Sequence, residues 1–457
     1  MIGTTPLVRE VLPNGSERFC KPHLSGPPTC KRRSRTVNNT KPALALSLRL
    51  LIWASAALEL LAPMILRRRL RRGKEHPTRW REKLGIASAS RPSGPLIWLH
   101  AVGVGEVMAL RGLITLLQQQ RPDLHFLVTS TALTSATAWN ANTINGVIHQ
   151  FLPLDLPRSS RRFLDHWSPD LVIWAEQDIW PALVSRISAR HIPQAMVNAR
   201  LNDTAYAKRT KLAWVYADAL SRLTLIDAQD DTTAKNLSRL GAQNVTVSGS
   251  LKPVSPPLSD WPEDRAAVTA ALGGRQLWLC APSHPKDEAI ALAAQAMMDN
   301  TLLVIAPRLP NRGAEIREAA LAHGLSTALW SNSDRIERSD VLIADSFGQM
   351  GLWYRMADFV LIGGTFCEIE GHNPWEAIAL DCAVLHGPRT ANFATDYKAL
   401  DSGNGARRIS SAQEITRLHQ DDLRAISSSA KVLANAELTK KAALAQQLLG
   451  LIGGQDA

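Results

Sequence analysis

Residues Pro95–Leu110 read PLIWLHAVGVGEVMAL. Leu96, Ile97, Trp98 and Leu99 form a short apolar run of the kind that makes a buried strand. Gly103 and Gly105 then break it, and Glu106-Val107-Met108-Ala109-Leu110 resumes at helical spacing. Strand, glycine turn and helix start form the opening unit of a doubly wound α/β domain, in which ligands sit beyond the carboxyl ends of the strands. Glycine lets backbone approach a ligand closely, which makes Gly105 a candidate contact. Glu106 falls in the first helical turn. This stretch alone allows two roles for it: a complement to the helix dipole, or a carboxylate aimed at the ligand.

The chain has 457 residues, 45% of them hydrophobic, which suggests two domains of similar size. Its formal charge is +11, with much of the excess in the first ninety residues. A local basic stretch points to an anionic surface met by one end of the chain. The cysteines (Cys20, Cys30, Cys280, Cys367, Cys382) are odd in number and lack CxxC spacing. They read as reduced thiols of a cytosolic compartment.

Residues 1–41 carry no usable periodicity and are expected to be disordered. Ala43–Leu66, ALALSLRLLIWASAALELLAPMIL, has the length of a membrane span, but Arg49, Glu59 and Pro63 interrupt it. The arginines that follow argue against a cleaved signal peptide. Arg67–Lys83, RRRLRRGKEHPTRWREK, is densely cationic. An apolar helix followed by such a run suits the cytoplasmic side of an anionic membrane. A tilted span and a helix lying in the interface both fit; a soluble core helix with a solvated basic tail is the competing reading. The run lacks interleaved aromatics beyond Trp80, so no nucleic-acid partner is expected.

The first α/β domain is placed at 84–248. Strand-like runs follow at His125–Thr129, Gly146–Leu152, Leu171–Ala175, Gln194–Val197 and Leu223–Ile226. Glu176 and Asp178 stand at one strand's carboxyl end, ahead of a helix starting near Pro181, and Arg200 stands at another. Such positions collect ligand groups; capping by Asp178 with a solvated Glu176 fits the spacing equally. Asp227, Asp230 and Asp231 read as a helix start, and no metal is assigned. Gly249–Lys252, followed by Pro253, Pro256 and Pro257, opens a linker at 249–261.

A second α/β series spans 262–429. After Gln276–Ala281 comes Pro282-Ser283-His284-Pro285, with a helix starting near Lys286. Ser283 with the free amides of that helix start makes an anion site, to which His284 adds a donor; a plain N-cap serine is the bland alternative. Thr301–Ala306 ends in Pro307-Arg308, where Arg308 suits a phosphate. Val341–Asp345 leads to Gly348, and Asp358–Ile362 to Gly363-Gly364. The stretch EGHNPWE, Glu370–Glu376, follows. Gly371 permits a tight approach, Asn373 can cap the turn begun at Pro374, and Glu376 can accept bonds from two sugar hydroxyls. His372 lacks metal-ligand partners at suitable spacing. Residues 430–457 form a helix packing back on the body.

Taken in order, these motifs resemble the 3-deoxy-D-manno-octulosonic acid (Kdo) transferases. The resemblance runs from about Arg67 to Leu400. It rests on Gly73-Lys74-Glu75 with Arg81–Gly85, His100 to Glu106, Pro153 to Pro157, Trp180-Pro181, Asn198–Leu201 and Gly249–Lys252. In the second half it rests on Ser283-His284, Ala306-Pro307-Arg308, Asp345 with Gly348, Gly363-Gly364, and Gly371–Pro374 with Glu376. It implies a GT-B fold, two Rossmann-like domains facing a cleft, with an N-terminal membrane-associating helix over 42–83. It implies CMP-Kdo as donor, a lipid A precursor as acceptor, no cofactor, and a place at the cytoplasmic face of the inner membrane in lipopolysaccharide synthesis. It also implies that Glu106 is the general base. Ser283, His284, Arg308, Asn373 and Glu376 would surround the nucleotide; Gly105, Asp178, Arg200, Lys252, Gly348, Gly364, Gly371 and His372 are the further substrate-binding positions. The chain departs from the family pattern at Gly103 (usually serine), Gln177 (threonine), Asp178 and Gln349 (glutamate) and Glu370 (glycine). Two alternatives stand beside this reading: a divergent GT-B transferase with another nucleotide sugar or acceptor, and a non-catalytic lipid- or nucleotide-binding paralogue.

Overall fold

The computed structural model describes the backbone of residues 8–11, 17–20, 46–176 and 179–453, and side chains over 56–176 and 179–452. The chain divides into two compact units, 1–43 and 44–457. In the first, β1 (Val8–Val11) and β2 (Glu17–Cys20) pair antiparallel, where disorder was expected; the rest of that expectation lies outside the described residues.

The second unit holds two parallel seven-stranded sheets. The N-terminal lobe is built from β3 (Leu96–His100), β4 (His125–Ser130), β5 (Val147–Phe151), β6 (Leu171–Ala175), β7 (Gln194–Ala199), β8 (Leu225–Ala228) and β9 (Val245–Val247). Their order is β5-β4-β3-β6-β7-β8-β9. Every residue of β3 is buried, as in parallel sheets covered on both faces. Side chains alternate between those faces. Ile97, Leu99, Phe126 and Ile173 pack with Val107, Leu110 and Leu113 of the helix Val104–Gln120. Trp98, Leu127, Val172 and Trp174 pack on the other face, with Phe163 and Trp167.

The C-terminal lobe is built from β10 (Gln276–Ser283), β11 (Thr301–Pro307), β12 (Thr327–Leu329), β13 (Val341–Ile343), β14 (Phe359–Ile362), β15 (Ala383–His386) and β16 (Arg407–Arg408). Their order is β12-β13-β11-β10-β14-β15-β16. In both sheets the chain runs outward from a central strand, returns, and runs outward on the other side. The reversal lies between β3 and β6 in one lobe and between β10 and β14 in the other. In open α/β sheets that switch point opens the ligand crevice.

The last helix is longer than expected, Gln420–Gly453 rather than a start at 430. Leu423 and Ile426 belong to the C-terminal lobe's core, and Leu444, Ala445 and Leu448 to the N-terminal lobe's. Between them the buried Lys441 donates from Nζ to Ser248 O (2.5 Å), Ser248 Oγ (2.8 Å) and Gly249 O (2.7 Å). The helix thus ties the lobe junction to both cores.

At the other end, the helix Leu46–Arg71 lies against the N-terminal lobe. Ala62 and Leu66 are buried, with Trp80, Leu84 and Leu156. Glu59, which interrupts the apolar run in the sequence, accepts from Arg158 N (2.8 Å), Ser159 N (2.7 Å) and Ser159 Oγ (3.1 Å). Its carboxylate therefore satisfies the free amides of the helix Pro157–Trp167. No described helix is long and apolar enough to cross a membrane. The cationic run is also not wholly free. Glu75 binds Arg69 and Lys83 (2.5 Å each), and Glu82 binds Arg79 (2.8 Å) and the Phe151 amide (2.7 Å).

Candidate active site

Glu106 lies at the N-terminal lobe's switch point, in the first turn of the helix Val104–Gln120 that follows β3. Its Oε2 accepts from Val102 N (3.0 Å) and Gly103 N (3.2 Å), one turn before it. The helix-start role that the sequence allows is therefore real. It leaves Oε1 without a hydrogen-bond donor among the described residues. A Cβ on Gly103 would stand 3.2 Å from that Oε1, so a side chain there would crowd the carboxylate. A Cβ on Gly105 would meet nothing within 4 Å; this exposed glycine leaves open space beside Glu106.

Next to this helix start, His100 is fully buried and its Nε2 has no partner among the described residues. Burial holds its pKa down to about 3, so the ring is neutral at ordinary pH. Trp180 Nε1 is likewise buried and unpartnered, and the two rings meet edge-on at 6.1 Å. Buried polar atoms without partners are uncommon and mark sites that await a ligand or water.

The neighbouring strand ends converge on the lobe junction. Glu176, at the end of β6, has φ 59° and accepts from Asn198 Nδ2 (3.4 Å). Asn198 Oδ1 accepts from Leu251 N (3.0 Å), which fixes the turn carrying Lys252. Asp178 lies outside the described residues. Arg200 is exposed and its guanidinium has no ion-pair partner among the described residues. Lys252 Nζ sits 3.8 Å from the centre of the Phe393 ring. Burial lowers its pKa, while Asp396, Glu176 and Glu376 oppose that fall. Arg200 and Lys252 line a cavity of about 280 Å³ between the lobes, with Asn202, Gln229, Asn392 and Asp396. The two cations offer charge-assisted partners to a small acidic ligand, beside the carboxylates of Asp230 and Asp396 that also line the cavity.

Across the cleft, the second switch point brings together the loops after β10 and β14. Ser283 is buried, and its hydroxyl donates to Glu288 Oε1 (2.8 Å), which Arg312 also holds (2.7 Å). It is not the N-cap: the helix starts at Pro285 with His284 as cap. The sequence reading misses this because Asp287, not Ser283, satisfies the helix start. Asp287 accepts from the amides of His284 (3.1 Å), Gly364 (2.7 Å) and Phe366 (3.1 Å). One buried carboxylate thus locks both crevice loops. Gly363 allows their approach, since a Cβ there would fall 1.8 Å from Pro282 O.

His284 and His372 meet at 2.9 Å between their Nε2 atoms, with rings stacked at 6°. Only one proton can occupy that contact. Burial, then His284 and Arg308, push the His372 pKa down to about 4. Arg308, at the end of β11, is exposed and its guanidinium is unpartnered among the described residues. Gly371 (φ 90°) donates to Gly364 O (2.9 Å). Asn373 stands one residue before Pro374, the N-cap of the short helix Trp375–Ile378; its Oδ1 accepts from Trp375 N (3.2 Å) and its Nδ2 donates to Glu376 Oε1 (3.2 Å). Burial raises the Glu376 pKa, against the Asn373 bond and Lys252. Gly348 has φ 90°.

Two sequence departures are absorbed locally. Gln349 donates to Asp264 (3.2 Å), where a glutamate would face a like charge. Glu370, at φ 64°, is ion-paired with Arg389, so its charge does not stand open to a phosphate. Among the described residues no cluster of three or more His, Cys, Asp or Glu could hold a metal ion.

Residues 78–254 match the family model for the 3-deoxy-D-manno-octulosonic-acid transferases (Kdo transferases). A probable mitochondrial 3-deoxy-D-manno-octulosonic acid transferase of Arabidopsis thaliana is 32% identical over 351 residues, covering 74% of this chain and 78% of that protein. The chain belongs to the Kdo transferase family. The Haemophilus influenzae 3-deoxy-D-manno-octulosonic acid transferase is 28% identical, over 80% of this chain and 88% of its own. The fold is GT-B: a Rickettsia africae glycosyltransferase crystal structure superposes with a TM-score of 0.51 at 12% identity, covering 78% of this chain and 99% of that one. This Kdo transferase is thus a glycosyltransferase with the two-lobed architecture that the residue pattern implies.

Proposed function

We propose that the protein transfers Kdo from CMP-Kdo to a lipid A precursor at the cytoplasmic face of the inner membrane, by direct displacement with Glu106 as general base. The observation that carries this reading is the pairing of two switch-point crevices in one two-lobed body. One holds a carboxylate with an oxygen open among the described residues, and the other an arginine unpartnered among them, beside a histidine pair.

Glu106 Oε1 takes the proton of the acceptor hydroxyl as that oxygen bonds to the anomeric carbon. The bond from that carbon to the CMP phosphate breaks, and its electron pair leaves on the phosphate. The transition state is oxocarbenium-like, as in glycosyl chemistry generally. The two amides on Oε2 hold the carboxylate in place, and a positioned base contributes about 10²–10⁴-fold. Arg308, the His284–His372 pair and the first turn of the helix Pro285–Gln295 receive the growing phosphate charge. Arg200 and Lys252 meet the Kdo carboxylate in the cavity between the lobes. Asn373 and Glu376 are placed for ribose hydroxyls. Arg67, Arg68, Arg71, Arg72 and Lys74 face anionic headgroups.

The test is transfer itself. Purified protein incubated with CMP-Kdo and a tetraacylated precursor yields the Kdo-bearing lipid, and CMP raises the melting temperature. Stabilisation by a uridine nucleotide and not by CMP would overturn the donor assignment. Binding of CMP without transfer, under conditions where a reference enzyme works, would overturn the activity.

A further inference from the structure

We propose that one acyl chain of the acceptor lipid seats in a groove between the N-terminal helix and the N-terminal lobe, beside the base. This rests on the lipid acceptor of the proposed function and adds where its chain goes. A cavity of about 770 Å³ lies there, walled by Leu58, Ala62, Ile65 and Leu66 of the helix and by Leu154 and Leu156 of the turn after β5. Thr131 and Ala132, on the loop after β4, close one end. The helix this loop leads into, Leu133–Asn140, is bonded to the turn before Glu106, because Ser135 Oγ donates to Val102 O (2.8 Å). The apolar space is therefore linked to the open carboxylate oxygen through that helix start and one hydrogen bond.

The polarity of the groove selects the occupant. Its middle is aliphatic. Its rim carries Arg69 and Lys83, both paired with Glu75, and the exposed Arg67, Arg68, Arg71 and Arg72 follow on the same helix and its end. An aliphatic trough ending in a field of arginines matches a chain joined to an anionic headgroup. The helix also has a second apolar face, with Leu60 75% and Met64 62% exposed, which is turned away from the groove and free to rest on the bilayer. Asp155 at the rim does not spoil the fit. It is spent on the amides of Ala182 (3.0 Å) and Leu183 (2.7 Å), and burial lifts its pKa to about 6.

The experiment uses the full chain and a lipid A precursor bearing a photoactivatable diazirine in one acyl chain. Illumination, read at residue level by fragmentation mass spectrometry, is expected to label Leu58, Ala62, Ile65 or Leu66 together with residues 154–156. Ala62→Trp, which fills the trough, is expected to cut that labelling and raise the KM for the acylated acceptor about tenfold. The KM for CMP-Kdo should stay unchanged. Should Ala62→Trp undock the helix, Leu58→Trp at the half-open mouth provides the same block without touching the buried contact. Labelling confined to Leu60, Leu61 and Met64 on the outer face would overturn the inference, as would an active enzyme that takes no label in either segment. Failure of the wild-type protein to transfer Kdo at all would instead strike the proposed function.

Discussion

Glu106 serves two ends with its two oxygens, and a substitution can separate them. Glu106→Gln keeps an oxygen for the amides of Val102 and Gly103, so stability should change by less than about 1 kcal/mol. The acceptor proton then has nowhere to go, and kcat should fall about 10²–10⁴-fold with the CMP-Kdo KM little changed. Thermal unfolding and steady-state rates together check both halves. Glu370 poses the converse case. It carries a side chain at φ 64° and an exposed ion pair with Arg389. Glu370→Gly removes backbone strain and an ion pair of small worth, so a denaturant titration should show a change within about 1 kcal/mol.

The histidine pair makes a pH prediction. His372 titrates near 4 because it is buried beside His284 and Arg308. A phosphate bound there favours the imidazolium and raises that pKa. The complex then binds more protons than the free protein between about 4 and the raised value, so affinity for CMP should increase as pH falls through that window. Calorimetry in two buffers of different ionisation heat should show proton uptake on binding. Proton release would contradict the placement of the phosphate.

At the scale of elements, the strands, glycine turns and helix starts were legible because each follows from local pattern. The apolar run Leu96–Leu99 is a strand with every residue buried, and Asp230 caps the helix Asp231–Arg239 through Thr233 N (2.7 Å). What was not legible is what a side chain does across the fold. Glu59 reads as a flaw in an apolar helix and is instead the cap of another helix, 100 residues on. Asp287 is a plain first-turn acid in the sequence and holds its own loop to another whose Gly364 lies 77 residues on. Phe393 reads in the sequence only as part of the strand-end loop after Ala383–Leu385, and Asp396 gives no signal, since their place beside Lys252 exists only once the lobes meet. Glu59→Ala should cost about 1 kcal/mol by leaving the Arg158 and Ser159 amides uncapped. It should also speed proteolysis within 46–71 before the lobes are cut.

At the scale of the whole molecule, the last helix joins the two halves. Lys441 donates three bonds to Ser248 and Gly249, and lies near the buried Asp227. Burial lowers its pKa to about 8, against Asp227 and Glu437. Its unfolded value is near 10.5, so the unfolded chain binds the extra proton between about 8 and 10.5, and this group's contribution to stability rises with pH across that interval. Lys441→Met leaves the junction carbonyls and Asp227 without their cation and should cost about 3 kcal/mol by denaturant titration.

Each lobe has its own reversal point, and the account stands or falls on chemistry between the two. The most direct test is the mass of the lipid product after incubation of wild-type protein and Glu106→Gln with CMP-Kdo and a tetraacylated lipid A precursor. The account predicts a Kdo-bearing lipid from the wild type and essentially none from the variant at equal folded concentration. A variant that produces that lipid at the wild-type rate would contradict it.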